Sequence, residues 1–133
     1  MSTTGKEFKS TPGLRRIVDA FGYSCAGLRH ALRHETAIRQ ELIALAVLVP
    51  AAVLLPVSAL ERLLLVLSMM LVLLTEFLNS AIEAAVDRIS LERHPLSGQA
   101  KDLGSAAVGV ALLMSAACWA VIAGPVVARS LGF

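Results

Sequence analysis

The chain has 133 residues, of which 56% are hydrophobic and 17% charged. That length suits one domain, but a soluble domain so small would leave much of this apolar surface in water. Lipid as solvent removes the difficulty, and a formal net charge of +2 gives nucleic acid binding no support.

In chain order, residues 1–11 form a polar arm without the apolar run or cleavage pattern of a signal peptide. Thr11 followed by Pro12 predicts a helix start. Over residues 12–34, Leu14, Ile17, Val18, Phe21, Leu28 and Leu32 recur at helical spacing, with Arg15, Arg16, Arg29 and Arg33 on other faces. This pattern predicts an amphipathic helix lying on a membrane surface. Gly22 and Gly27 mark places where it could divide in two. Hydrocarbon then dominates residues 42–60, 63 to about 89, and 103–128, and about 20 apolar residues suffice to cross a bilayer core. The expected architecture is all-α and integral to the membrane. A single domain over residues 1–133 holds the arm, the surface helix at 12–34 and transmembrane helices at about 36–56, 60–90 and 102–127.

Lys and Arg set the expected orientation. Ten of them precede the first span or lie between the second and third, against Arg62 and Arg129 on the other side. The N-terminus is therefore expected in the cytoplasm and the C-terminus in the periplasm. Cys25 and Cys118 lie far apart in sequence and read as small packed residues rather than a disulfide or metal site. The third span is rich in small residues from Gly104 to Ala120, which suits close helix packing. Pro50 is expected to kink the first span.

The second span ends in EFLNSAIEAAVDR, residues 76–88. On a helix Glu76, Asn79, Glu83 and Asp87 share a face, with Ser80 beside them. Carboxylates at membrane depth are expensive and face protein or a wet cavity. Asp87 could simply pair with Arg88 or Arg93. The topology brings Glu35, Arg39 and Glu41 at the start of the first span, and Lys101 and Asp102 at the start of the third, to the same level. Clustered carboxylates suit Mg²⁺, which takes hard oxygen ligands and keeps waters. A carboxylate in apolar surroundings suits a general base, and Lys101 could neutralise phosphate. No phosphate-binding glycine motif occurs. The spacing leaves two readings open, a Mg²⁺-nucleotide site or an ion path. His30 and His34 read as solvated interfacial residues, whereas His94 lies beside the candidate nucleotide loop.

The segments GYSCAGLR (22–29), HETAIRQE (34–41), EFLNSAIEAAVDR (76–88) and SGQAKDLGSAAV (97–108) resemble the prokaryotic diacylglycerol kinase family. The resemblance runs in order over roughly residues 12–125. It implies a bacterial inner-membrane homotrimer with shared active sites that moves the γ-phosphoryl of ATP to the hydroxyl of diacylglycerol, giving phosphatidic acid. It implies Glu76 as the base, and Glu35 and Glu83 as holders of Mg²⁺ against ATP. Arg16, Tyr23, Glu92, Arg93, His94, Lys101 and Asp102 complete the implied ATP site. Arg39, Glu41, Asn79 and Ser105 are implied at the lipid headgroup with Glu76, and Trp119 is placed near the lipid chain. Cys25, Ala26, His34 and Gln99 depart from the family pattern around these motifs. Undecaprenol is the alternative substrate within the family, and a small oligomeric ion- or proton-conducting protein the alternative outside it.

Overall fold

A computed structural model describes residues 13–133. The polar arm, Lys6, Lys9 and the Thr11–Pro12 helix start lie outside the described residues. The described chain is helical, with no strand among its residues, and divides into two compact units: the segment ending at His34, and Glu35–Phe133.

In the first unit, α1 spans Gly13–His34 without interruption at Gly22 or Gly27. Each glycine costs a helix about 1 kcal/mol relative to alanine, which the remaining helix formers absorb. The Ser24 hydroxyl donates back to the Ala20 carbonyl at 3.0 Å. Leu14, Ile17, Val18 and Phe21 are exposed. The last turn carries Arg33 and His34, where positive charge complements the helix dipole.

The second unit contains α2 (Thr36–Leu54), α3 (Ala59–Ile89) and α4 (Pro95–Ser130), each long and apolar enough to cross a membrane. At 1.5 Å per residue they measure about 28, 46 and 54 Å, against a hydrocarbon core of about 30 Å. α3 and α4 therefore extend well past the bilayer, while α2 barely spans it. α3 is central: it packs on α2 and, more extensively, on α4.

Local sequence explains the boundaries. α2 stops at Leu54 because Leu55 precedes Pro56 and is held extended at ψ 138°. Arg62 then closes that end from α3, its Nε donating to the Ala52 carbonyl at 3.0 Å and its Nη2 to the Leu55 carbonyl at 3.2 Å. α3 begins in a capping box: the Glu61 amide donates to Ser58 Oγ at 3.2 Å and the Ser58 amide donates to Glu61 Oε2 at 2.8 Å. α4 begins at Pro95, well before the apolar run, because the Leu96 amide donates to His94 Nδ1 and proline occupies the first turn. It ends where Gly132 turns to φ +85°, with the Gly132 amide on the Arg129 carbonyl and the Phe133 amide on the Ala128 carbonyl. That double closure needs a residue free to adopt positive φ.

The α3–α4 seam is lined by small residues. Gly104 and Ala111 are buried on α4. Ser68 Oγ donates to the Leu65 carbonyl at 2.8 Å and lies 3.2 Å from Ser115 Oγ across the seam. Such links within a bilayer contribute about 0.6 kcal/mol each. Leu65, Met69, Val72 and Leu73 complete the buried face of α3.

Candidate functional site

Depth along α3 orders the polar residues. Arg62 and Glu61 sit in the first turn. Glu76 follows Arg62 by fourteen residues, about 21 Å along the axis, and Glu83 lies about 10 Å beyond it. If Arg62 marks one boundary of a core of about 30 Å, Glu76 would fall inside the far edge, Glu83 at it and Asp87 outside it.

The packing treats these residues accordingly. Glu76 and Asn79 are buried, Glu83 is half-buried and Asp87 is exposed. Asn79 Nδ2 donates to Glu83 Oε1 at 3.4 Å, a long bond that turns the amide toward the deeper carboxylate's neighbour. Asn79 Oδ1 is buried with no hydrogen-bond donor. It faces Gly104, where an added methyl group would collide with it. Glu83 and Glu35 lie within electrostatic reach of Glu76, and so does Glu41. Four carboxylates from α2, α3 and the residue preceding α2 therefore share one end of the bundle. Among the described residues neither Glu76 nor Glu83 has an ion pair.

Cationic charge enters from α4. Lys101 Nζ lies 2.7 Å from Asp87 Oδ1, joining the ends of α3 and α4. Asp87 thus pairs with Lys101, and not with Arg88 or Arg93, because the α3–α4 connection folds back within one side-chain length. A cleft of about 430 Å³ opens beside this pair, and Glu92, Arg93, His94, Ser97 and Gly98 line it with them. Four of the residues expected at the nucleotide, Glu92, Arg93, His94 and Lys101, come together there. Asp102 is exposed and does not line it, and Arg16 and Tyr23 are exposed on α1, in the other unit. His94 also caps α4, which the sequence did not reveal: its Nδ1 accepts from the Leu96 amide at 3.2 Å.

A second cleft, about 420 Å³, runs between the three membrane helices. Leu45, Leu48, Met69, Val72 and Leu112 make it apolar, and Glu41, Ser115 and Trp119 give it polar points. Glu41 Oε2 and Trp119 Nε1 are buried without hydrogen-bond partners. Of the residues expected at the lipid, Glu41 and Trp119 meet here. Arg39 instead reaches Thr36 Oγ1 at 3.0 Å, and Ser105 is exposed.

The donor set fits Mg²⁺ bound with a phosphate. No group of three His, Cys, Asp or Glu side chains among the described residues could hold an ion by itself. Mg²⁺ characteristically takes one or two carboxylates, several waters and substrate phosphate oxygens. A carboxylate cluster without an ion pair leaves charge for such a cation to neutralise.

Similarity to known proteins decides between an ion path and a kinase. The pattern of the family described as prokaryotic diacylglycerol kinase matches residues 22–123. This chain belongs to the prokaryotic diacylglycerol kinase family. A diacylglycerol kinase of Pseudomonas aeruginosa is 55% identical over 115 residues, covering 86% of this chain and 94% of the relative. One of Escherichia coli is 50% identical over 113 residues, 85% of this chain and 93% of the relative. One of Helicobacter pylori is 38% identical over 116 residues, 85% and 91% respectively. The family match spans every candidate residue except Arg16.

Proposed function

We propose that this protein is an ATP- and Mg²⁺-dependent kinase that phosphorylates the hydroxyl of diacylglycerol at the cytoplasmic face of the bacterial inner membrane, giving phosphatidic acid. The observation that supports the assignment is the order along α3: Glu76 buried, Glu83 half-buried seven residues on, and the exposed Asp87–Lys101 pair beside a charged cleft. A lipid hydroxyl reaches the first level and a nucleotide the last. The relatives that share half the sequence carry the matching name.

The chemistry follows from the residues. The diacylglycerol hydroxyl sits against Glu76, whose carboxylate takes its proton as the oxygen attacks the γ-phosphorus of ATP. The bond to the β-γ bridging oxygen breaks and ADP leaves. Phosphoryl transfer asks chiefly for positioning and charge neutralisation. Glu35 and Glu83 would hold Mg²⁺, which would supply positive charge to neutralise phosphate oxygens. Lys101 adds positive charge at the phosphates, while Glu92, Arg93 and His94 border the nucleotide. Asn79 holds Glu83 through its amide nitrogen, while its carbonyl oxygen packs against Gly104. Arg39, Glu41 and Ser105 serve the headgroup, and the apolar groove ending at Trp119 takes an acyl chain.

Three spans enclose little, and Leu74, Leu78, Leu103, Leu113 and many other large side chains remain exposed on this chain. A homotrimer with sites shared between subunits, set in lipid with the N-terminus inside, would cover that surface.

The test is Mg²⁺-dependent transfer of labelled γ-phosphate from ATP, by protein purified in mixed micelles. Diacylglycerol and undecaprenol are offered separately, with Glu76→Gln beside the unaltered protein. Labelled phosphatidic acid, lost in the variant, is the expected result. Product from undecaprenol alone would keep the mechanism and change the substrate. No product from either lipid, in an intact oligomer, would overturn the kinase assignment and favour ion conduction.

A further inference from the structure

The last turn of α1 places two imidazoles side by side. His30 and His34, four residues apart, have ring centroids 4.6 Å apart and planes inclined by 35°. Both are exposed. We propose that His30 and His34 form a chelating site for a borderline transition-metal dication of the Zn²⁺, Ni²⁺ or Cu²⁺ class, separate from the site for Mg²⁺.

Residues at i and i+4 on a helix face the same way, and this spacing lets two histidines grip one ion. The separation is the right one. With metal–nitrogen bonds of about 2.0–2.1 Å, each ring centroid lies about 3.2 Å from the ion, so two rings at a right angle stand about 4.5 Å apart. The observed centroid separation is close to that value. The turn that precedes it toward the N-terminus is small: Ala26 and Gly27 lie at i−4 and i−3 from His30, and a Cβ built on Gly27 meets nothing within 4 Å. That turn leaves room for an ion with its waters, which fill the remaining coordination positions.

Ligand chemistry selects the ion. Imidazole nitrogen favours borderline transition metals, whereas Mg²⁺ takes oxygen. The kinase cofactor therefore does not compete, and the order of affinity expected is Cu²⁺ above Ni²⁺, with Zn²⁺ below Cu²⁺. An ion shared across one helical turn staples the end of α1, so occupancy slows fraying there. The assignment stands on the α1 histidines, of which His34 directly precedes Glu35, and it does not rest on the kinase reading.

The experiment uses tag-free, full-length protein in detergent micelles with millimolar Mg²⁺ present. Zn²⁺, Ni²⁺ and Cu²⁺ are titrated calorimetrically into the unaltered protein, His30→Ala, His34→Ala and His94→Ala, with helix content checked by circular dichroism. One ion per chain is expected, weakened at least about tenfold in either α1 variant and unchanged in His94→Ala. In parallel, Ni²⁺ or Cu²⁺ should broaden the imidazole proton resonances of His30 and His34 and spare those of His94. Binding that survives both α1 substitutions, equal broadening of all three histidines, or no binding above a His30→Ala/His34→Ala double variant would overturn the site.

Discussion

Asn79 of α3 lies against Gly104 of α4 so closely that a methyl group on the glycine would strike the amide oxygen. The contact does two things: it lets the helices approach at the level of the buried carboxylates, and it holds the amide that reaches Glu83. Gly104→Ala should therefore push Asn79 off its bond. Overpacking of this kind costs about 1–3 kcal/mol, read as a lowered midpoint of thermal unfolding in micelles. Phosphoryl transfer should fall with it, because the displaced amide no longer holds the Glu83 carboxylate. Unchanged activity would show that Asn79 is a packing residue only.

Glu76 and Glu83 should separate kinetically. Glu76→Gln keeps shape and burial but removes the proton acceptor, so kcat should fall by a factor on the order of 10² or more. Glu83→Gln should instead raise the Mg²⁺ and ATP concentrations needed for half-maximal rate. Identical defects in the two variants would contradict the division of roles.

The Lys101–Asp87 ion pair is exposed at both ends, where solvent screening leaves little stability to lose. Lys101→Met should leave the unfolding midpoint nearly unmoved while raising KM for ATP roughly tenfold, the effect of losing one charged contact to phosphate. Asp87→Asn frees the ammonium and should leave KM for ATP equal or lower. A large fall in stability in either variant would make the pair structural.

Arg62 should matter for folding and not for catalysis. Its guanidinium satisfies two carbonyls at the end of α2, and hydrogen bonds to a charged donor are worth about 1.5–3 kcal/mol. Arg62→Met should lower unfolding stability by about 2 kcal/mol and leave kcat per folded oligomer intact. The site lies at the opposite end of α3.

Filling the apolar cleft should discriminate between substrates. Ala116 lines it beside Trp119. Ala116→Phe should raise KM for a long-chain diacylglycerol more than for a short-chain one, without changing KM for ATP. Equal effects on both lipids would place the acyl chain elsewhere.

Much of this was legible along the chain. Long apolar runs must become membrane helices, since only a helix satisfies every backbone group in lipid. The periodicity of Glu76, Asn79, Glu83 and Asp87 put a polar stripe on α3 by helical geometry alone. Less legible were contacts that depend on how far helix ends reach. The apolar run does not show that α4 starts at Pro95, since that is settled by His94 turning its Nδ1 onto the Leu96 amide. The pairing of Asp87 is equally hidden: Arg88 and Arg93 are nearer in sequence than Lys101, but the turn between α3 and α4 brings Lys101 within 2.7 Å. His30 and His34 carried a helical spacing that could have revealed them, yet only coordinates show the rings packed together.

Composition and periodicity were enough to predict a helical membrane protein with three spans and a polar stripe on the second, because burial in lipid and helical repeat act on each segment locally; the family was legible only in the motifs themselves. Three-dimensional packing decided which polar groups meet. It set Asn79 against Gly104, Asp87 beside Lys101, Ser68 opposite Ser115, and Glu41 and Trp119 in one cleft. These are contacts between helices, and their register depends on side-chain volumes and loop lengths that no single segment encodes.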